Sequence, residues 1–196
     1  MTQETLHETF VALLRDTYDA EKQLVKALPK LAKAADNEEL VEAIRNHLAE
    51  TEAQVTRLEE VFGILGAPAK GKACKGMKGL LEEGNEAIQE EDKGEMRDLA
   101  MIAGAQKVEH YEISAYGTLR TLAEQLDLGD AVELLQQTED EEKEADSKLT
   151  EIAMTIYESA SDAEEDEEDE EEDEEQPART TAVKSRGEGG KTRTAR

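Results

Sequence analysis

The sequence predicts an all-α chain: four long helices in two antiparallel hairpins, joined by a crossover that contains a shorter helix. Three observations predict it. Ala, Leu, Glu and Lys dominate the 196 residues, with only three Pro and no Trp, a composition that favours helix throughout. Apolar residues recur at alternating steps of three and four in four long segments, the signature of an amphipathic helix. Turn signals separate those segments, and composition changes abruptly after Ala160, so residues 1–160 read as one bundle domain and 161–196 as a disordered tail.

The first helix is expected over Leu6 to Ala34, with Leu6, Phe10, Leu13, Thr17, Glu21, Leu24, Leu28 and Leu31 on one stripe. Pro29 lacks an N–H and predicts a kink or an early end. Asp36-Asn37 marks a turn, and Asn37 suits the N-cap of a second helix from Glu38 to Leu65. Its stripe is Leu40, Ile44, His47, Glu50 or Thr51, Gln54, Leu58 and Val61, and Gly66-Ala-Pro68 closes it. Lys70 to Gly79, rich in Gly and Lys, reads as loop, and Leu80 to Glu91 as the short crossover helix. The third helix, Glu95 to Leu126, carries Leu99, Ile102, Ala105, Glu109, Glu112, Tyr116 and Leu119. After the turn at Leu128-Gly129-Asp130, the fourth runs to Ser159 with Leu135, Thr138, Glu142, Ala145 or Asp146, Leu149, Ala153 and Ile156. Four long helices with a long middle connection match a ferritin-like four-helix bundle.

The tail has two halves. Thirteen of the fourteen residues from Asp162 to Glu175 are acidic, a block that repels itself and buries nothing. From Pro177 the sign reverses, with Arg179, Lys184, Arg186, Lys191, Arg193 and Arg196 against Glu188. It reads as a solubilising tail whose basic end folds back on the acidic block. A basic arm for nucleic acid or protein is the sharper reading, which the acidic run opposes.

Composition also excludes functions. Asp and Glu number 49 against 23 Lys and Arg, for a net charge of −26, which argues against nucleic acid or an anionic membrane as partner of the folded part. Such acidity suits high solubility and a salt-rich cytoplasm, where counterions screen the repulsion. Cys74 is the only cysteine; it can form no internal disulfide and reads as a neutral loop residue. No apolar run approaches the ~20 residues that span a bilayer, and the first residues lack the pattern of a secretory signal. The expected location is cytoplasmic.

The acids on the inward stripes carry the functional signal. Glu21, Glu50, Glu109, Glu112 and Glu142 fall where their helices should be apolar, with His47 and Asp146 beside them. Carboxylates are rarely buried unless paired or metal-bound. In an antiparallel hairpin, residues equally far from the turn share a height. Glu21 lies fifteen residues before position 36 and Glu50 fourteen after; Glu112 lies sixteen before position 128 and Glu142 fourteen after. Glu109 and Asp146 pair in the same way. Residues three or four apart share a face, so His47 and Glu50, Glu109 and Glu112, and Glu142 and Asp146 can each address one site. Two divalent ions would neutralise most of this charge, and hard carboxylates with at most one imidazole suit iron or manganese. Each residue has a plainer reading: Glu21 could pair with Lys22 or Lys26, a lone inward His is often merely hydrogen-bonded, and which of Glu109 and Glu112 is a ligand stays open. Glu141 reads as solvated, His7 and His110 as surface residues, and Gln54, Tyr111 and Tyr116 as supporting or packing residues.

The segments Leu13-Leu-Arg-Asp-Thr-Tyr-Asp-Ala-Glu-Lys-Gln-Leu24, His47-Leu-Ala-Glu-Thr51, Val108-Glu-His-Tyr-Glu-Ile113 and Glu141-Glu-Lys-Glu-Ala-Asp146 resemble the YciE/YciF family of ferritin-like proteins. The resemblance covers roughly residues 5 to 157 and leaves out the tail. It implies a four-helix bundle that forms homodimers, a dinuclear metal site and an association with stress. The general ferritin-like pattern places Glu-x-x-His on two helices. Here the second helix has the reverse order, His47-x-x-Glu50, and the fourth has Glu142-x-x-x-Asp146 without His, so ferroxidase activity does not carry over.

The leading expectation is a cytoplasmic protein binding two divalent ions, iron or manganese, in its core, with oxidation of Fe(II) or decomposition of peroxide as its chemistry if it is an enzyme. The alternative is a non-catalytic structural or partner-binding bundle, whose acids hold a structural cation or stay partly protonated.

Overall fold

The structure, a computed structural model, describes residues 2–90 and 92–174, with side chains up to residue 160. It is all-helical, with no strand among the described residues. The elements are α1 (Gln3–Ala34), α2 (Glu38–Ile64), α3 (Lys75–Glu90), α4 (Glu95–Gln125) and α5 (Gly129–Glu174).

The ends follow local chemistry. Thr2 caps α1 by accepting from the Thr5 N–H, and Asn37 caps α2 by accepting from the Leu40 N–H at 3.0 Å. Gly66, with φ +62°, lets the chain leave α2 through a bond from the Ala67 N–H to the Phe62 carbonyl. Asp127 plays the same part after α4 at φ +56°, with Leu128 N–H donating to the Ala123 carbonyl. Pro29 does not end α1, which continues five residues to Ala34; Leu28 and Leu31 pack into the core on either side and hold the last turns.

Hydrogen bonds between helices give their directions. Only three residues link α1 to α2, and Tyr18 meets Glu59 far from that turn on both helices, so the two are antiparallel. Arg97 and Asp98 at the start of α4 hold Ala34 and Asp36 at the end of α1, while Tyr116, further along α4, reaches back to Glu21, so α4 runs antiparallel to α1. Gln54 with Glu142 and Arg57 with Thr138 run α5 antiparallel to α2, and Gln106 with Thr150 and Arg120 with Glu139 run it antiparallel to α4. α2 and α4 are therefore parallel, which requires a connection that returns along the bundle. Residues 65–94, with α3 packed on α1 and α4, make that return.

The core is two apolar clusters. One joins Leu24, Leu28, Leu40, Ile44, Met77, Met101, Ile102, Leu149, Ile152 and Ile156. The other joins Phe10, Leu14, Tyr18, Leu58, Val61, Phe62, Tyr116, Leu119 and Leu135, with Tyr18 edge-on to Phe62 at 5.6 Å. Along every long helix the buried residues between the two clusters are polar: Glu21, then His47, Thr51 and Gln54, then Glu109 and Glu112, then Thr138, Glu139 and Glu142. A polar layer thus divides the interior.

Two expectations change. On α1 the buried position is Leu14, while Leu13 is 37 % exposed; the stripe runs 10, 14, 17, 21, so Leu13 falls a residue out of step. Residues 75–79 belong to α3 rather than to the loop, and Cys74 just before it is buried against Met77 and Tyr111. Gly76 permits this approach, since a Cβ there would stand 3.0 Å from the Tyr111 ring. The backbone of α5 extends as helix to Glu174. Packing divides the chain after Ala160. The basic end, from Pro177, lies outside the described residues.

Candidate metal centre

Four side chains from three helices converge in the polar layer. His47 of α2, Glu109 and Glu112 of α4, and Glu142 of α5 each present a nitrogen or oxygen within 4.8 Å of one another, and all four are buried. Glu21 of α1 joins them, fully buried and acting electrostatically on His47, Glu109 and Glu112.

Neighbours hold these groups in place. The Tyr116 hydroxyl donates a short hydrogen bond to Glu21 Oε1. The Gln54 amide donates to Glu142 Oε1 at 2.5 Å and to Glu141 at 3.2 Å. Thr51 donates back to the His47 carbonyl at 2.7 Å. Arg57 forms a two-pronged pair with Glu141, both contacts at 2.9 Å, and donates also to Thr138. Gln54 and Tyr116 thus support the acids, as expected. Tyr111 takes the packing role instead, against the first apolar cluster, with bonds to Cys74 at 2.9 Å and Asp16 at 3.3 Å. Glu141 is paired rather than merely solvated. The Arg57 contribution escaped the sequence reading, although its signal was present, because Arg57 lies three residues from Gln54 and so shares its face.

Two expected residues stand apart. Glu50 is 49 % exposed, with its Oε2 3.8 Å from His47 Nδ1. The α2 stripe steps 44, 47, 51, 54, so Thr51 takes the inward position and Glu50 the margin. Asp146 turns to the surface side, 3.4 Å from exposed His110 and 3.1 Å from the Gln106 amide.

Burial dominates the protonation of the inner acids. It raises Glu21 to about 8, helped by the Glu142 charge and opposed by the Tyr116 hydrogen bond. Burial likewise pushes Glu112 well above the carboxylate range, with the charges of Glu21 and Glu142 adding to it. Glu109 and Glu142 rise for the same reason, with His47 opposing. Burial alone would lower His47, but Glu109, Glu50 and Glu142 outweigh it and lift the imidazole to about 9.

Polar atoms are also left over. Glu21 Oε2, both His47 nitrogens, Glu109 Oε2, both Glu112 oxygens and Glu142 Oε2 are buried without a hydrogen-bond partner. His47 Nε2 faces Glu109 Oε1 at 3.5 Å, an ion-pair distance. An orphaned buried polar atom costs about 1–3 kcal/mol. A cation coordinated by these atoms would remove that cost, and the donor set, carboxylate oxygens with one imidazole, suits a hard or borderline divalent ion. The residues fit a metal.

Two cavities reach this centre. One, of about 650 Å³, opens between α2 and α5. The other, of about 300 Å³, is mostly apolar and lies among α1, α3 and α4, lined by Leu24, Leu80, Leu81, Ile88 and Val108. His47 and Glu109 line both. No helix among the described residues is long and apolar enough to cross a membrane.

Residues 5–161 match the model of a family described as a domain of unknown function, DUF892. The chain is 50 % identical over 155 residues to protein YciF of Escherichia coli K12, covering 79 % of this chain and 93 % of that protein. The crystal structure of the E. coli stress protein YciF superposes with a TM-score of 0.75 at 50 % identity, over 78 % of this chain and 96 % of that one. YcfI of Rhodopseudomonas palustris gives 0.73 at 41 % identity, over 76 % and 94 %. A protein of Xanthomonas campestris shares the fold at 19 % identity, with a TM-score of 0.64 over 82 % and 99 %. With the DUF892 model matching residues 5–161 and half of the aligned residues identical to YciF, the chain, with its buried layer of carboxylates and histidine, belongs to the DUF892 family and is similar to YciF.

Proposed function

We propose that the bundle binds a dinuclear, carboxylate-rich metal centre of iron or manganese, held by Glu21, His47, Glu109, Glu112 and Glu142, and that it serves a cytoplasmic detoxification of peroxide or reactive iron under stress. The observation that carries the reading is the convergence of four buried ligand-type side chains, each with at least one ring nitrogen or carboxylate oxygen that no hydrogen bond satisfies. Charge favours two ions: four ionised glutamates need four positive charges, which two divalent cations supply while His47 stays neutral. The stress role rests on the likeness to a protein described as a stress protein, and a homodimer on the family resemblance.

When bound, such ions supply a redox couple and a coordination position for an oxidant. The chain's own part is to position and to exclude. Tyr116 and Gln54 fix the rotamers of Glu21 and Glu142, Arg57 anchors Glu141 beside them, and the apolar clusters on either side keep bulk water out. Glu50 and Asp146, at the margin, complete the set only by rotating inward.

Elemental analysis of protein purified without chelator tests this. Two iron or manganese ions per chain, lost in a Glu109→Ala, Glu142→Ala variant, support the centre. Protein that neither carries nor takes up either metal refutes it. That outcome would favour the second reading, a metal-free structural bundle, for which the raised pKa values of the buried acids speak: they hold protons in place of a cation.

A further inference from the structure

A centre this enclosed needs an entrance. Glu21 and Glu142 are 0 % exposed and Glu112 is 1 % exposed. Of the two cavities that reach it, the apolar one carries Lys26 and Lys30 and no acidic residue besides the inner Glu109, so it offers a hydrated cation little attraction. The cleft between α2 and α5 is the opposite. Its walls carry Glu39, Glu42, Glu50, Glu144 and Glu151, all exposed, against Lys148, which pairs with Glu151 at 3.3 Å. Among the described residues, Glu39, Glu42 and Glu144 make no ion pair. At the inner end stand His47, only 8 % exposed with neither ring nitrogen hydrogen-bonded, and Glu109 with an orphaned Oε2.

We propose that this acidic cleft is the entrance by which hydrated divalent cations reach the buried centre, with Glu50 passing them from solvent to His47 and Glu109. The inference rests on the metal-centre reading above. The outer glutamates raise the local cation concentration, as a charged cleft with low-dielectric walls does. Glu50, half-exposed and 3.8 Å from His47 Nδ1, is positioned to replace a hydration water while the ion is still in the cleft. His47 and Glu109 then replace further waters. The exposed margin position of Glu50 thereby gains a reason: a carboxylate that carries an ion across the boundary has to reach both sides.

The test follows uptake of Co(II) by metal-free full-length protein, read by stopped-flow visible absorption at low ionic strength, with affinity measured by calorimetry. The variant Glu39→Gln, Glu42→Gln, Glu144→Gln should take up Co(II) about tenfold more slowly, and added salt should erase most of the difference. Its equilibrium affinity should stay within about threefold, because charges along a path alter entry and exit together. A control carrying Glu4→Gln, Glu8→Gln and Glu133→Gln, exposed acids outside the cleft, has the same net charge. Wild-type rates in the control would support the cleft. Equal slowing in both variants would assign the effect to overall charge and overturn the entrance, as would wild-type rates in both. Failure of the wild type to bind Co(II), iron or manganese at all would remove the centre itself, and the entrance with it.

Discussion

Replacing Glu112 by Leu should stabilise the metal-free protein, an unusual result for a change in the interior. Glu112 is 1 % exposed, neither carboxyl oxygen has a hydrogen-bond partner, and burial together with Glu21 and Glu142 keeps its proton on well above the ordinary range. Leu fills nearly the same space and removes both orphaned atoms. Exchanging a buried polar group in that condition for a packed apolar one is worth about 1–3 kcal/mol. For a bundle of this size each kcal/mol moves Tm by about 2–4 °C, so a gain near 2 kcal/mol raises it by roughly 4–8 °C. The same change deletes a metal ligand. Saturating Mn(II), at about a hundred times its Kd, should add about 2.7 kcal/mol to the wild type and far less to the variant. Differential scanning calorimetry with chelator and then with Mn(II) reads both effects. A variant less stable than the wild type in chelator, beside a wild type indifferent to metal, would show that Glu112 is an ordinary interior residue and refute the reasoning.

The remaining predictions are simpler. Metal-free protein should lose stability as pH rises from about 5 to 9. Glu21 is raised to about 8 and His47 to about 9; a raised group contributes its full stabilisation below its unfolded pKa and loses it through its folded one, and thermal melts across that range check the slope. Metal binding has to displace those protons, so weakly buffered protein should acidify on addition of Mn(II), and affinity should rise with pH; no proton release would count against the assigned ligands. Asp98→Ala should cost about 2–4 kcal/mol, because the buried Asp98 carboxylate accepts the backbone N–H groups of Asp36 at 3.0 Å and Asn37 at 2.7 Å; denaturant unfolding measures it, and metal content should not change. Asp127→Gly should stabilise by up to about 1 kcal/mol, since residue 127 sits at φ +56°, and a lower Tm would contradict that.

Much was legible from spacing alone. The four long helices, their turns at Asp36-Asn37 and Leu128-Gly129, and the inward placement of Glu21, His47, Glu109, Glu112 and Glu142 follow from helical period and from turn and cap chemistry, which act over a few residues of chain. Equal distances from a turn even placed the acids at a common height. What spacing could not resolve was rotation by a single residue. A helix advances 100° per residue, so Glu50 and Thr51, or Leu13 and Leu14, compete for one inward position; only packing against neighbouring helices settled it, in favour of Thr51 and Leu14. Long-range partners were invisible for the same reason. The Arg57–Glu141 pair joins residues 84 apart, and the hold of Asp98 on the α1–α2 turn spans more than 60. Local sequence therefore determined which residues form helices and which face inward; tertiary packing decided which acids became buried and partnerless, because desolvation is a property of everything surrounding a side chain and not of its own helix.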